Sequence, residues 1–244
     1  MTADAPELLV FPDEAALYRA AARAIKDSLA KLLQDSEIVP LVLAGGKTPA
    51  SVYELLADRP LRDGLDWHRI HFFWGDERCV PPQNPESNFR MASESLLSRV
   101  PVQKRQVHRI EAELAEPAEA ARRYEAQILA FFPGATLPSF DLVLLGMGAD
   151  GHTASLFPGA TWDERRLVVP VYAPALKSYR ISMTPRLLNA ARRIVFIVAG
   201  QAKAQALRDV LSGSDRMLPA TRIRPAGGRI TWMVEEQAAG LLRK

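Results

Sequence analysis

Short apolar runs that stop at polar or glycine-bearing turns alternate along this chain with helix-like stretches, and that alternation limits the fold more than any other feature. The runs at 38–43, 70–74, 142–145 and 194–199 are too short for buried helices. Their near-continuous apolarity is that of strands covered on both faces. Helical periodicity marks 13–34, a stretch from about Pro49, and 87–97, 117–131 and 201–211. Further strand-like runs lie at 8–11, 107–110, 167–172, 179–184 and 229–234. This order predicts an α/β fold with a mostly parallel, Rossmann-like sheet and helices on both faces. No repeat or long linker interrupts it, and the Pro-containing loops at 80–85 and 213–225 read as surface segments, so residues 1–244 are expected to form a single domain.

With 244 residues, 48% of them hydrophobic and 24% charged, the chain has the balance of an ordinary globular protein. No apolar run approaches the roughly 20 residues that cross a bilayer. Residues 1–7 carry acids and no basic-plus-apolar leader, so a cytoplasmic location is expected. A lone cysteine, Cys79, excludes an intrachain disulfide and a multi-cysteine zinc site, and it reads as a packing residue. The net charge of +3 is spread among 28 acids with no basic cluster interleaved with aromatics. That pattern argues against a nucleic-acid partner and suits an anionic small molecule.

The run at 140–159, Phe-Asp-Leu-Val-Leu-Leu-Gly-Met-Gly-Ala-Asp-Gly-His-Thr-Ala-Ser-Leu-Phe-Pro-Gly, brings His152 and Asp150 to the carboxyl end of a buried strand. Ligands of open α/β sheets bind at such ends. Gly146, Gly148 and Gly151 also match the dinucleotide pattern G-x-G-x-x-G. That reading fails on context: Pro158 and Gly159 stop any helix within two turns, and no acid follows at the end of the next strand.

Two other strand ends are expected to converge on the same edge. One is Gly45-Gly46-Lys47-Thr48-Pro49, where Thr48 is expected as N-cap and Pro49 as the first helical residue. Loop N–H groups and the helix dipole suit that turn to a phosphate. A P-loop would need glycine at position 41, where this chain has Leu41. The other is Gly75-Asp76-Glu77-Arg78. Arg180 within a strand and Lys203 in the first turn of a helix are further candidate anion ligands. Asp76, Asp150 and His152 lack a third strong nitrogen or sulfur ligand, so no metal is expected.

Together these segments resemble the 6-phosphogluconolactonases, within the wider family of sugar-phosphate isomerases and deaminases. The resemblance runs from residues 41–49 to 194–200 and includes 73–78, 84–88 and, most specifically, 146–158. Deaminase relatives carry a glutamate five residues after the loop histidine, where this chain has Phe157. The resemblance therefore implies hydrolysis of a phosphorylated lactone, with His152 activating water, Asp150 orienting it and Arg78 stabilising the oxyanion. It implies that Gly45, Gly46, Lys47, Thr48, Arg180 and Lys203 hold the phosphate and that Asp76 meets sugar hydroxyls or supports Arg78. No cofactor is implied, and a monomer acting on a small sugar phosphate is expected. Related folds serve as effector domains of repressors, but strands beginning at Leu8 leave no room for a helix-turn-helix.

Overall fold

The computed structural model describes residues 6–242. In chain order these form β1 (Glu7–Phe11), α1 (Glu14–Asp35), β2 (Val39–Leu43), α2 (Lys47–Ala57), β3 (Ile70–Trp74), β4 (Asp76–Arg78), α3 (Asn88–Ser95) and β5 (Val107–His108). There follow α4 (Pro117–Phe131), β6 (Leu142–Leu145), β7 (Val168–Ala173), β8 (Ser178–Met183), α5 (Pro185–Leu188), β9 (Arg193–Val198), α6 (Ala204–Ser212) and β10 (Arg229–Glu235). Seven strands make one sheet in the order β1-β10-β9-β6-β2-β3-β5, every neighbouring pair parallel. The class expected from the alternation of runs is the one observed.

β2 and β6 are buried at every position, which requires cover on both faces of the sheet. Part of that cover is α1, which starts where the Asp13 carboxylate accepts the N–H of Ala16 at 2.7 Å. It buries Leu17, Ala21, Ile25 and Leu29, a spacing of four that keeps them on one stripe. Each of the larger side chains contributes about 1.5–3 kcal/mol by leaving water. Among the described residues no helix is long and apolar enough to cross a membrane.

The chain leaves β2 through α2 toward β3 on one side, whereas the neighbour of β6 on its other side is β9. Strand order reverses between β2 and β6, so a crevice opens at their carboxyl ends.

The runs expected at 167–172 and 179–184 do form strands, but not in the parallel sheet. β7 and β8 pair antiparallel, and β8 pairs antiparallel with β4, making a separate sheet in the order β4-β8-β7. Asp76-Glu77-Arg78, which reads as a turn, is thus a strand. Three polar residues have no apolar alternation to betray one, and partner direction is not written in side-chain period. Gly75 makes the transfer between sheets: its N–H reaches Leu43 O at 3.1 Å and its carbonyl accepts from Met183 N at 2.8 Å.

On the far side of β3, His71 Nδ1 lies 2.9 Å from His108 Nε2, and the His108 ring stacks on Phe73 with centroids 4.3 Å apart. Burial, reinforced by His71, pushes His108 down to about 4. A histidine held neutral by the fold binds its proton more readily in the unfolded chain. Its contribution is complete above about pH 6.5 and is lost as pH falls toward about 4. Melting temperature should therefore drop across that window, and His108→Phe, which keeps the stacking, should make the drop shallower. Identical pH slopes for the two proteins in thermal melts would contradict this.

Candidate active site

The ends of β2 and β3 are fixed by two buried tyrosines. Ala44 N donates to the Tyr53 hydroxyl at 2.9 Å, and that hydroxyl donates to Ala44 O at 3.1 Å. Tyr124 does the same for Trp74, at 2.8 and 3.0 Å. Burial pushes both phenols above their ordinary range, so they remain neutral donors. The residues that follow, Gly45 and Gly75, line a cavity of about 280 Å³ at the mouth of the crevice.

Of the residues expected from the sequence, Gly45, Gly46, Lys47, Thr48, Asp76, Arg78, His152 and Lys203 line this cavity. Asp150 stands behind His152, and Arg180 is not in the wall.

The start of α2 differs from expectation. Gly46, not Thr48, is the N-cap, and the helix begins at Lys47 with no side-chain cap. Gly46 has φ 101 and ψ 173, a conformation essentially confined to glycine. The N–H groups of Lys47 and Thr48 have no partner among the described residues, and Pro49 has no N–H to satisfy. An uncapped first turn facing a cavity is a better anion site than a capped one, because its donors are free. Lys203 lies at the start of α6, half-buried in the same wall. Burial lowers its pKa, and Glu14 partly offsets this.

His152 is anchored through Nδ1, 2.6 Å from Asp150 Oδ1, while the backbone N–H of His152 lies 3.2 Å from the same oxygen. Burial raises the Asp150 pKa, but the charge and hydrogen bonds of His152 outweigh it and hold the carboxyl below its usual range. With Nδ1 tied to a carboxylate, Nε2 is the nitrogen left to accept a proton. Gly148 makes room for this pair: a Cβ there would fall 2.1 Å from His152 Nδ1 and 2.6 Å from Asp150 Oδ1. The ring of Phe157 packs 5.0 Å from the imidazole.

The acids on β4 serve different ends. The Asp76 carboxylate accepts from Ser155 Oγ at 2.5 Å and from Asn88 Nδ2 at 3.3 Å, joining the histidine loop to the start of α3. Glu77 faces away from the cavity and takes the N–H groups of Arg78, Asn88 and Phe89 and the hydroxyl of Ser87. Burial raises its pKa against those bonds. Arg78 projects into the cavity with Nη1 anchored on the carbonyl of Glu86. Arg180 pairs with Arg78 across the strands, and its Nη1 donates to Ser178 Oγ and Tyr179 O. Burial, then repulsion from Arg78, lowers its pKa. Burial pushes the Cys79 thiol up to about 11, which suits packing and not nucleophilic work.

Sequence reasoning missed Asn88, Ser155 and Glu235. Asn88 fills the space beside Gly45, where a Cβ would lie 1.9 Å from its Oδ1. Glu235, buried at the end of β10, accepts from Gly200 N at 3.1 Å and so fixes the turn that leads to Lys203. Asn88 and Ser155 fall within segments that carry the family resemblance, and Glu235 is marked only as an acid at the end of an apolar run.

A parallel sheet with a reversal point, a free helix terminus and a carboxylate-histidine pair at its strand ends defines an α/β protein with a candidate anion-binding site at the switch point. The chain belongs to the family described as glucosamine-6-phosphate isomerases/6-phosphogluconolactonase, whose model matches residues 12–232. It is 37% identical to a 6-phosphogluconolactonase of Haemophilus influenzae over 84% of this chain and 88% of the relative. It is 35% identical to one of Synechocystis over 98% and 99%. The crystal structure of the 6-phosphogluconolactonase of Thermotoga maritima superposes with a TM-score of 0.82 at 32% identity, covering 94% of this chain and 99% of that one.

The close approach at Gly148 makes a prediction independent of turnover. Gly148→Ala should cost about 1–3 kcal/mol in urea denaturation by overpacking and should remove the hydrogen-bonded imidazole N–H signal of His152 from proton NMR spectra. Retention of both stability and signal would contradict the geometry.

Proposed function

We propose that this chain hydrolyses 6-phospho-D-glucono-1,5-lactone to 6-phospho-D-gluconate, the lactone-opening step of the pentose phosphate pathway, with His152 as general base. The observation that carries this reading is the Asp150–His152 pair in the same cavity as the uncapped start of α2 and Lys203. The relatives named 6-phosphogluconolactonase, matched over nearly the whole chain, support the substrate.

Binding starts at the phosphate. Its oxygens accept the free N–H groups of Lys47 and Thr48 and pair with Lys203, and the dipole of α2 adds to the attraction. Gly45 and Gly46 present no side chain that would keep the phosphate from the backbone. The lactone ring then lies toward the histidine loop, with Asp76 at the edge of the cavity to accept from a sugar hydroxyl.

His152 Nε2 takes a proton from a water as its oxygen attacks C1, and Asp150 stabilises the imidazolium that forms. Arg78 is the cation nearest to hand for the tetrahedral oxyanion. The intermediate collapses by breaking the bond from C1 to the ring oxygen, which takes the proton back from the imidazolium and becomes the 5-hydroxyl; the product leaves as a carboxylate. Base catalysis contributes roughly 10²–10⁴-fold and an oxyanion donor roughly 10²–10³-fold, enough for an activated ester without a cofactor.

Phe157 argues for hydrolysis over deamination. It occupies the place where deaminase relatives carry a ring-opening acid, and here an apolar ring lies against the imidazole. The reading extends to a single catalytic unit acting as a cytoplasmic monomer, with no nucleic-acid or membrane partner.

Proton release on adding the lactone tests the assignment. His152→Ala should lower kcat by roughly 10²–10⁴-fold with little change in KM, and wild-type turnover in that variant would remove the base. Lys203→Ala should mainly raise KM, by about tenfold or more, whereas an effect confined to kcat would contradict its phosphate role.

A further inference from the structure

A second cationic cavity lies away from the strand ends, beyond the carboxyl end of α6. It measures about 380 Å³, and its wall includes Arg216, Arg222 and Arg224 with the hydroxyl-bearing Ser212 and Thr221. No carboxylate lines it, and it shares no lining residue with the cavity at the strand ends.

Two of the guanidiniums are held in place. Arg222 Nη2 lies 2.7 Å from Glu164 Oε1, and its head stacks over Trp162 at 5.1 Å. Arg224 Nε donates to Thr221 O at 2.9 Å, and its Nη2 lies across Gly213, where a Cβ would sit 3.1 Å away. Gly213 has φ 67, so glycine there serves both the backbone and the arginine. Arg216 has neither an ion-pair nor a hydrogen-bond partner among the described residues.

The helix end does not account for three arginines. Two of its last carbonyls are met by Gly213 N on Val210 O and Ser214 N on Asp209 O, and none of the three guanidiniums bonds a carbonyl of α6. Glu164 pairs with Arg222 alone, and among the described residues Arg216 and Arg224 have no ion-pair partner.

A second, more apolar cavity of about 320 Å³ adjoins the first and shares Thr221 and Arg224 with it. Leu211, Ile223, Pro225 and Trp232 form much of its wall. A polar cation array beside an apolar compartment, with Thr221 and Arg224 in both walls, matches a ligand with a multiply charged head and a flat, weakly polar body.

The segment that carries these arginines also supports the histidine loop. Ala220 N donates to Gly151 O at 3.0 Å, and the Leu218 side chain packs on Gly151, one residue before His152.

We propose that these two adjacent cavities bind a nucleoside diphosphate, its phosphates on Arg216, Arg222 and Arg224 and its base in the apolar compartment, and that occupancy braces the loop carrying His152. The inference does not depend on the identity of the substrate at the strand ends. Calorimetric titration of ADP into the full-length protein, with and without saturating 6-phosphogluconate, tests it. One ADP should bind in both cases, and inorganic pyrophosphate should bind at least about tenfold more weakly because it leaves the apolar compartment empty. The Arg216→Ala/Arg224→Ala variant should lose at least about tenfold in ADP affinity while keeping wild-type turnover in the absence of ADP. ADP should also slow amide exchange at 148–156 in the wild type. Loss of ADP binding when 6-phosphogluconate is present, unchanged affinity in the double variant, equal binding of pyrophosphate, or unaltered exchange would each overturn the proposal.

Discussion

Two buried tyrosine hydroxyls decide where the parallel sheet stops. A parallel ladder could run on past Ala44 and Trp74, but Tyr53 and Tyr124 each take both the N–H and the carbonyl of one of those residues. The cost of burying an unpaired peptide group is avoided without a further strand residue. Gly45 therefore emerges beside the reversal point between β2 and β6 free of the ladder, whereas Gly75 keeps its N–H on Leu43 O and turns its carbonyl to Met183 N of the second sheet. The uncapped turn of α2 and the passage of the chain into the small antiparallel sheet both start from those two arrests.

The small sheet is what assembles the acids and cations of the site from distant parts of the chain. β4 leaves β3 by way of Gly75, β8 returns to pair with it, and Ser155 reaches across to Asp76. Asp76 is consequently tied to the histidine loop on one side and to α3 on the other, while Glu77, its neighbour on the opposite face, caps α3. One three-residue strand thereby sets the relative positions of Arg78, the histidine loop and Asn88.

Much of this was legible in the sequence, for physical reasons. Buried parallel strands need continuous apolar runs, so β2, β3, β6 and β9 announced themselves, and the glycines after them marked where the chain turns into a ligand crevice. The Asp150–His152 pair was legible because glycines on both sides force a short loop. The second sheet was not legible, since strand direction leaves no trace in side-chain alternation and Asp76-Glu77-Arg78 has none. Thr48 looked like a cap because its chemistry suits one, yet Gly46 takes that place through a conformation no other residue adopts readily. Arg180, expected as a ligand because a cation interrupts a strand, lies beside Arg78 with Nη1 on Ser178 Oγ and Tyr179 O, outside the wall of the cavity.

The half-buried ammonium of Lys203 carries a consequence for selectivity. Burial already disfavours its charge in the empty cavity, and Glu14 offsets this only in part. A dianionic ligand relieves that stored penalty as well as contributing its own attraction, whereas a neutral sugar with the same hydroxyls leaves the penalty in place. Under the proposed phosphate role of Lys203, the site thus favours a phosphorylated ligand over its neutral counterpart before any hydroxyl has been recognised.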